Sequence, residues 1–336
     1  MNEQNEIPRV RCRELIAAMM TGFQPACVIG AAAELDIWNG IGADCVTAEE
    51  FAEQLECDVR ALRVLLDALV AIKMLRKEND RYSVDEEIRA CLGDDDASML
   101  PMVRHWLSCL RSWSQLAWIV RSGVPAPRIS GILGPFGERE AFIQGMHSLA
   151  SMTAGPLIEE LDLPPFTHVL DVGGATGSYT IAFLRKYPDA KATLFDLPDA
   201  VGAAKKRIEA AGLSERVTLV AGDFYRDGLP SGADLAWVSA IIHQNNREQN
   251  RALFAKVSGA LTPGGRVAVR DIVMDPDRTA PPMGALFAVN MLANTESGGT
   301  FTLEEITEDL QSAGFTDVDF IHPTQDMNSV VTARKP

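Results

Sequence analysis

Between residues 10 and 74 the apolar positions recur at intervals of three and four, the spacing of helices that bury one face. RVRCRELIAAMMTG and ACVIGAAAELDIW read as two such helices, and TAEEFAEQL opens a third with Thr47 followed by Glu50, a capping-box pattern. DVRALRVLLDALVAIKM has the same period, and LRKENDRYSVD then offers two short strand-like runs around an Asn79-Asp80 turn. Helix, helix and hairpin in that order predict a winged helix. Residues 98–160 continue helical and carry Met102, Trp106, Trp113, Trp118, Phe136, Phe142, Met146 and Met152, with glycine and proline breaks at 123–135 where the segment must bend.

The pattern changes at Pro164-Pro165. Strand HVLDVG, helix 178–187, strand KATLFDL, helix 198–211, strands RVTLVAGD and DLAWVSAI, helix 247–260 and strand RVAVRDIVM follow. A loop and helical segment, helix LEEITEDLQSAG and the closing pair TDVDFIH and SVVTARK complete the chain. Alternating strands and helices predict an α/β fold with a doubly wound, mostly parallel sheet, whose ligands bind beyond the carboxyl ends of the strands. The expected organisation is a winged-helix domain over 1–97, a helical linker over 98–164 and a Rossmann-like domain over 165–336.

Charge narrows the partners. The 336 residues carry a formal charge of -15, with 15 basic against 25 acidic residues up to Pro164 and 16 against 21 after it. Both halves repel nucleic acid and anionic membranes, and the helix over 58–74 offers only Arg60, Arg63 and Lys73, too few to read phosphates. The start, MNEQNEIPRV, lacks a basic-then-apolar leader, and no membrane-spanning run of about 18 uncharged apolar residues is expected. A cytoplasmic protein is the expectation. Six cysteines (12, 27, 45, 57, 91 and 109) form no CxxC pair or histidine cluster, so they are expected to be reduced, buried and inert, with no metal.

Three signals fall at successive strand ends: LDVGGATG with Asp171, Gly173, Gly174 and Gly177; LFDLP with Asp196; AGDF with Asp223. The glycine loop departs from the dinucleotide fingerprint, because Ala175 and Ser178 stand at its second and third glycine positions counted from Gly173. A nucleoside without a pyrophosphate suits it. Asp196, about 20 residues on, is placed to take both ribose hydroxyls, Asp223 an adenine amino group, and Phe224 the base. In AWVSAIIHQNNREQNR, His243 follows an apolar run, where a histidine is by default an interior residue. Asn246 with Gln249 reads as a helix start, and the polar QNNREQN mostly as capping and solvated surface.

VLDVGGATGSYTIAFLRKYPDAKATLFDLPDAV, VTLVAGDFY, LTPGGRVAVRDIVMDPD and LEEITEDLQSAGF resemble the S-adenosylmethionine-dependent small-molecule O-methyltransferases of the plant caffeate and bacterial polyketide tailoring type. The resemblance covers the whole chain and implies a class I methyltransferase domain and a winged-helix homodimer. It implies that Asp171, Gly173, Gly174, Gly177, Asp196, Leu197, Asp223 and Phe224 serve S-adenosylmethionine, with Ser239 near its nucleoside. His243 falls where that family keeps a base in a His-Asp-Trp motif, but Gln244 and Asn245 follow it here. Of the family's two acidic partners, one is matched by Asp271 and the other aligns with Thr300, which holds no charge. Trp106, Phe142, Met146, His147, Phe287, Asn290, Met291 and Thr300 are candidates for the substrate pocket, and ESGGT is expected to be a flexible turn.

An imidazole, with an unperturbed pKa of about 6.5, can take a proton from a phenol of pKa about 10 as a methyl moves, an effect worth about 100- to 10,000-fold. Asp271 would orient the ring. Orienting the nucleophile in line with the sulfonium supplies more, about 7 to 11 kcal/mol of the barrier. The altered motif leaves open a carbon or nitrogen acceptor. Two further alternatives are a winged-helix regulator that senses a nucleoside metabolite and a cofactor-retaining decarboxylase or hydroxylase.

Overall fold

Glu50 N donates to Thr47 Oγ1 (3.2 Å) and Thr47 N to Glu50 Oε2 (2.8 Å), so the helix expected at TAEEFAEQL begins where its capping box predicts. The computed structural model describes residues 9–93 and 98–336. The chain folds into two units, Met1–Leu110 with Ser130–Ser148, and Arg111–Ile129 with Leu149–Pro336. Residues 98–164, expected as a linker, are divided between the two.

The first unit contains helices α1 (Arg9–Thr21), α2 (Phe23–Glu34), α3 (Ile37–Ile41), α4 (Ala48–Gln54) and α5 (Val59–Ala71), hairpin strands β1 (Arg76–Glu78) and β2 (Arg81–Ser83), α6 (Glu86–Leu92) and most of α7 (Leu100–Trp113). Trp38, Phe51, Leu66, Leu69 and Tyr82 are fully buried and form its centre. The hairpin turns through Asn79 and Asp80, both at positive φ (47° and 62°), conformations that Asn and Asp tolerate best among side-chain-bearing residues. On α5, Arg63 is paired with Glu49 and Asp80.

The second unit holds α8 (Leu116–Ser122), the later part of α9 (Gly134–Glu160), β3 (His168–Val172), α10 (Ser178–Lys186), β4 (Lys191–Asp196), α11 (Pro198–Ala210), β5 (Val217–Ala221), β6 (Ala233–Ser239), α12 (Arg247–Ala260) and β7 (Leu261–Arg270). β8 (Val273–Met274), α13 (Pro282–Asn294), β9 (Phe301–Thr302), α14 (Leu303–Ser312), β10 (Thr316–His322) and β11 (Val330–Arg334) complete it. Seven strands pair in the order β10-β11-β7-β6-β3-β4-β5, and only the pairings of β11 are antiparallel. Strand alternation feeds two cores: Leu170, Val172, Ala236 and Val238 face α12 and α14, while Val169, Leu235 and Trp237 face α9 and α10. The expected doubly wound sheet is therefore present, and its topological switch lies between β3 and β6.

Several expectations need correction. Leu15–Ala33 carries no charged residue, and Val10–Glu34 is a 25-residue helical stretch holding an 18-residue window of mean hydropathy 1.6, by length and composition enough to cross a membrane. Thr, Gly, Gln and Pro within it mask this in a composition-based reading. No cysteine is fully buried: Cys45 and Cys91 are exposed and the other four half-buried, and none of the six is in a disulfide. RVAVRDIVM is not one strand, because pairing with β11 and β6 ends at Arg270 and Val273–Met274 pairs instead with Phe301–Thr302.

Asp309 on α14 is 2% exposed and accepts from Arg247 (2.7 Å) and Arg251 (2.6 Å) on α12. Removing a buried partner leaves charge uncompensated, so Asp309→Ala is expected to cost about 3 kcal/mol, seen as a lower urea midpoint at unchanged slope. Asp309→Asn should cost less; an unchanged midpoint for the alanine variant would refute this role.

Candidate active site

The carboxyl ends of β5, β4, β3, β6 and β7 form one edge, and the candidate residues are strung along it. Beyond β3, Gly173 and Gly177 adopt φ of 68° and 84°. A Cβ on Gly173 would lie 2.3 Å from Ile241 Cδ1, and one on Gly174 would lie 2.7 Å from Leu194 Cγ, so the loop is glycine for space as well as for conformation. Asp196, the last residue of β4, accepts Ala175 N (2.7 Å) on one oxygen and Leu197 N (2.6 Å) on the other. This fastens the glycine loop to the neighbouring strand, and burial raises the Asp196 pKa above the usual carboxylate range. Asp223 follows β5 and caps its own turn at Tyr225 N (2.9 Å), while Phe224 comes within 3.8 Å of where a Gly173 Cβ would stand. Leu197 is half-exposed beside Asp196.

Asp171 departs from its expected place at the edge. It is 2% exposed, faces α10 because side chains alternate along β3, and accepts the Thr180 hydroxyl at 2.6 Å. Burial pushes its carboxyl up to about 7 despite that hydrogen bond, with nearby Asp196 adding repulsion.

His243 lies in a 3-10 turn, Ile242–Gln244, that leaves the end of β6. Its Nδ1 is 2.9 Å and 3.1 Å from the two oxygens of Asp271, which is 2% exposed against 13% for the imidazole. A carboxylate accepts, so Nδ1 is the donor of this bond and Nε2 is the ring nitrogen left for another partner. Asp271 sits in the break between β7 and β8, where its Oδ1 also accepts Ile272 N at 2.8 Å. The edge of Phe287 meets the imidazole at 4.9 Å between centroids and 85°, fixing the ring plane.

ESGGT is not a loose turn. Gly299 N donates to His243 O at 2.8 Å, and a Cβ on Gly298 would stand 2.5 Å from the same oxygen. Thr300 is buried and its carbonyl accepts Arg278 Nη1 at 2.8 Å. Nor is QNNREQN mainly surface. The Asn246–Gln249 capping box forms, but Asn245 and Asn250 are buried. Asn245 accepts the Tyr225 hydroxyl and donates to Asn250 Oδ1 (3.0 Å), and Asn250 donates to Ile242 O (3.1 Å). The polar pattern of that stretch hid a buried network that steadies the histidine turn.

On α13, Phe287, Asn290 and Met291 share the face next to His243, with Met291 buried. Asn290 Oδ1 accepts Trp113 Nε1 (2.8 Å) and Asn294 Nδ2 (3.0 Å), a pairing across 177 residues that no local pattern announces. Trp106, Phe142, Met146 and His147 belong to the first unit; Trp106 and Phe142 are exposed there, and Phe142 packs on His105 at 5.1 Å. Among the other histidines, His168 bonds Thr193 Oγ1 (2.8 Å) and His322 lies 3.9 Å from Glu160. Ser239 Oγ accepts Arg270 Nη1 at 3.1 Å. Arg270, a charge inside an apolar strand, was the one sequence signal at this edge left unread.

Residues 132–316 match the family model of an O-methyltransferase domain and residues 18–89 that of an O-methyltransferase dimerisation domain. A 3-hydroxy-5-methyl-1-naphthoate 3-O-methyltransferase of Streptomyces sahachiroi is 30% identical over 312 residues, 90% of each chain. The tetracenomycin polyketide synthesis 8-O-methyl transferase of Streptomyces glaucescens is 29% identical over 321 residues, 90% of this chain and 91% of its own. The solved structure of human N-acetylserotonin methyltransferase in complex with SAM superposes with a TM-score of 0.81 at 25% identity, covering 100% of this chain and 99% of that one.

The raised Asp171 pKa has a stability consequence. Between about pH 4 and 7 the unfolded chain has lost this proton and the folded one keeps it, so this carboxyl makes stability fall as pH rises, by about 1.4 kcal/mol per unit, and level off above 7. Asp171→Asn removes that dependence. Its melting temperature should gain on wild type from pH 5 to 7 and hold the gain at pH 8; a difference independent of pH would contradict the assignment.

Proposed function

The chain belongs to the S-adenosylmethionine-dependent O-methyltransferases, and on that premise we propose how its residues divide the work of moving a methyl group to a hydroxyl of an aromatic or polyketide-like small molecule. Two bacterial relatives that act on a naphthoate and on a polyketide support the acceptor class. The residues fit the cofactor: the cradle at Gly173 and Gly174 has no room for side chains, and two carboxylates stand at the next two strand ends. Backbone at Gly173, Gly174 and Gly177 lines the cofactor site, Asp196 and Leu197 take the ribose, Asp223 and Phe224 the adenine, and Ser239 lies where the switch between β3 and β6 opens. Asp171 acts from beneath, holding α10 to β3 through Thr180. Bound S-adenosylmethionine supplies an electrophilic methyl on a sulfonium.

His243 Nε2 takes the proton of the acceptor hydroxyl, and Asp271 keeps the proton of Nδ1 in place and stabilises the imidazolium that results. The bond between them is the observation that carries this reading. Gln244 and Asn245 do not impair it, because the turn is held by Asn250, Tyr225 and Gly299 rather than by an Asp-Trp pair. Thr300 adds no second acid, so one carboxylate serves the histidine. Phe287, Asn290 and Met291 line the acceptor side, with Asn290 fixed by Trp113 and Asn294 so that its amide is aimed rather than free to rotate.

A homodimer working in the cytoplasm completes the reading. The dimerisation-domain match over 18–89 and the exposed Val10, Ile16, Met19, Met20 and Phe23 support an apolar surface that a second copy covers. Six cysteines outside any disulfide suit a reducing compartment.

His243→Ala is expected to lower kcat on a phenolic acceptor by about 100- to 10,000-fold while leaving S-adenosylhomocysteine affinity unchanged, and the variant's rate should climb with pH as the phenol ionises unaided. Product mass and the NMR position of the new methyl identify the acceptor atom. Full rate in the variant would sink the base assignment.

A further inference from the structure

Arg270 closes β7 on the sheet face that carries α9 and α10, opposite to Asp271, and is 7% exposed. Its Nη1 donates to Ser239 Oγ (3.1 Å), and Nε and Nη2 donate to Asn328 Oδ1 (3.1 and 2.7 Å). The guanidinium lies over the Tyr179 ring, 5.1 Å from its centroid. Every one of these partners is neutral. Asp326 stands behind Asn328, bonded to its N at 2.8 Å, and among the described residues no carboxylate is within ion-pair distance of Arg270. Asp326 therefore offsets the guanidinium only across Asn328, without touching it, and a guanidinium has five donors of which three are used here, leaving one N–H on each of Nη1 and Nη2.

Position supplies an anion that can meet those two N–H groups directly. The edge runs β5, β4, β3, β6, β7, with Asp223, Asp196, the glycine loop, Ser239 and Arg270 at the successive ends. A nucleoside held at Asp223 and Asp196 directs the rest of the cofactor past the glycine loop toward β6 and β7. Arg270 is two strand spacings beyond that loop, about 10 Å, within the combined reach of an extended amino-acid tail and an arginine side chain. We propose that Arg270, held by Ser239, Asn328 and the Tyr179 ring, is the anion site that receives the carboxylate of the cofactor's amino-acid tail. The paired N–H groups that remain match a carboxylate's two oxygens. The assignment rests on the placement of the nucleoside at Asp196 and Asp223 given above.

Calorimetric titration of the full-length protein tests it without any turnover. S-adenosylhomocysteine is compared with its decarboxylated analogue, which keeps the nucleoside, thioether and amine. Arg270→Met should weaken S-adenosylhomocysteine about 10- to 100-fold and the analogue less than about twofold, and Arg270→Lys should show the same selectivity with a smaller loss. Equal losses for both ligands would make Arg270 a structural prop and overturn the proposal, as would unchanged binding of S-adenosylhomocysteine. If the methionine variant does not fold, the lysine variant decides by the same ratio. Asp196→Asn should weaken both ligands alike; if it weakens neither, the nucleoside placement is what fails, and the Arg270 assignment falls with it.

Discussion

The hydrogen bond between Asp271 and Nδ1 of His243 is the contact around which the site is arranged. It needs a strand to end at Arg270, so that Asp271 turns out of the ladder, and a 3-10 turn to leave β6 on the same side of the edge. Burying a carboxylate at 2% exposure is tolerable because Ile272 N and the imidazole N–H both donate to it. The surroundings then remove the freedom of the histidine: Phe287 fixes its ring plane, Gly299 bonds its carbonyl, and Asn250 bonds the carbonyl before it. Preorganisation of this kind spares the imidazole a search for its orientation.

The same edge distributes chemistry by strand. Carboxylates stand at β4 and β5, small backbone at β3, a hydroxyl at β6, and at β7 two opposite charges on opposite faces, Arg270 and Asp271. Strand alternation makes that last pair possible: adjacent residues point to different sides of one sheet, so a cation and an anion one bond apart in sequence serve different surfaces. Asp196 ties the glycine loop to β4, and Tyr225, just past Asp223, ties the β5 loop to the histidine turn through Asn245. The loops after β3, β4 and β5 and the histidine turn thus form one hydrogen-bonded network.

Much of this was legible in the residues. The alternation of strands and helices after Pro165 specified the doubly wound sheet, and the capping boxes at Thr47 and Asn246 placed two helix starts. Asp196, Asp223 and the glycine loop fell where strand ends predicted. What escaped has a common physical cause: local pattern cannot separate polar residues on a surface from polar residues that satisfy one another inside. Asn245 and Asn250 read as solvated and ESGGT as loose, and nothing local tied the pocket candidate Asn290 to its partner Trp113. The uncharged stretch at 15–33 was hidden by the opposite effect, a few polar residues scattered through an apolar helix. Arg270 was visible all along as a charge in VAVRDIVM, but only its neutral partners give it meaning.

The protonation state of one ring tests the account most directly. Nitrogen NMR of protein labelled at histidine, read at neutral to mildly alkaline pH with and without S-adenosylhomocysteine, distinguishes the two tautomers of His243. The expected result is a proton on Nδ1, shifted downfield by Asp271, and an unprotonated Nε2. A proton found on Nε2, or an exchange between tautomers that Asp271→Asn leaves unchanged, would contradict it.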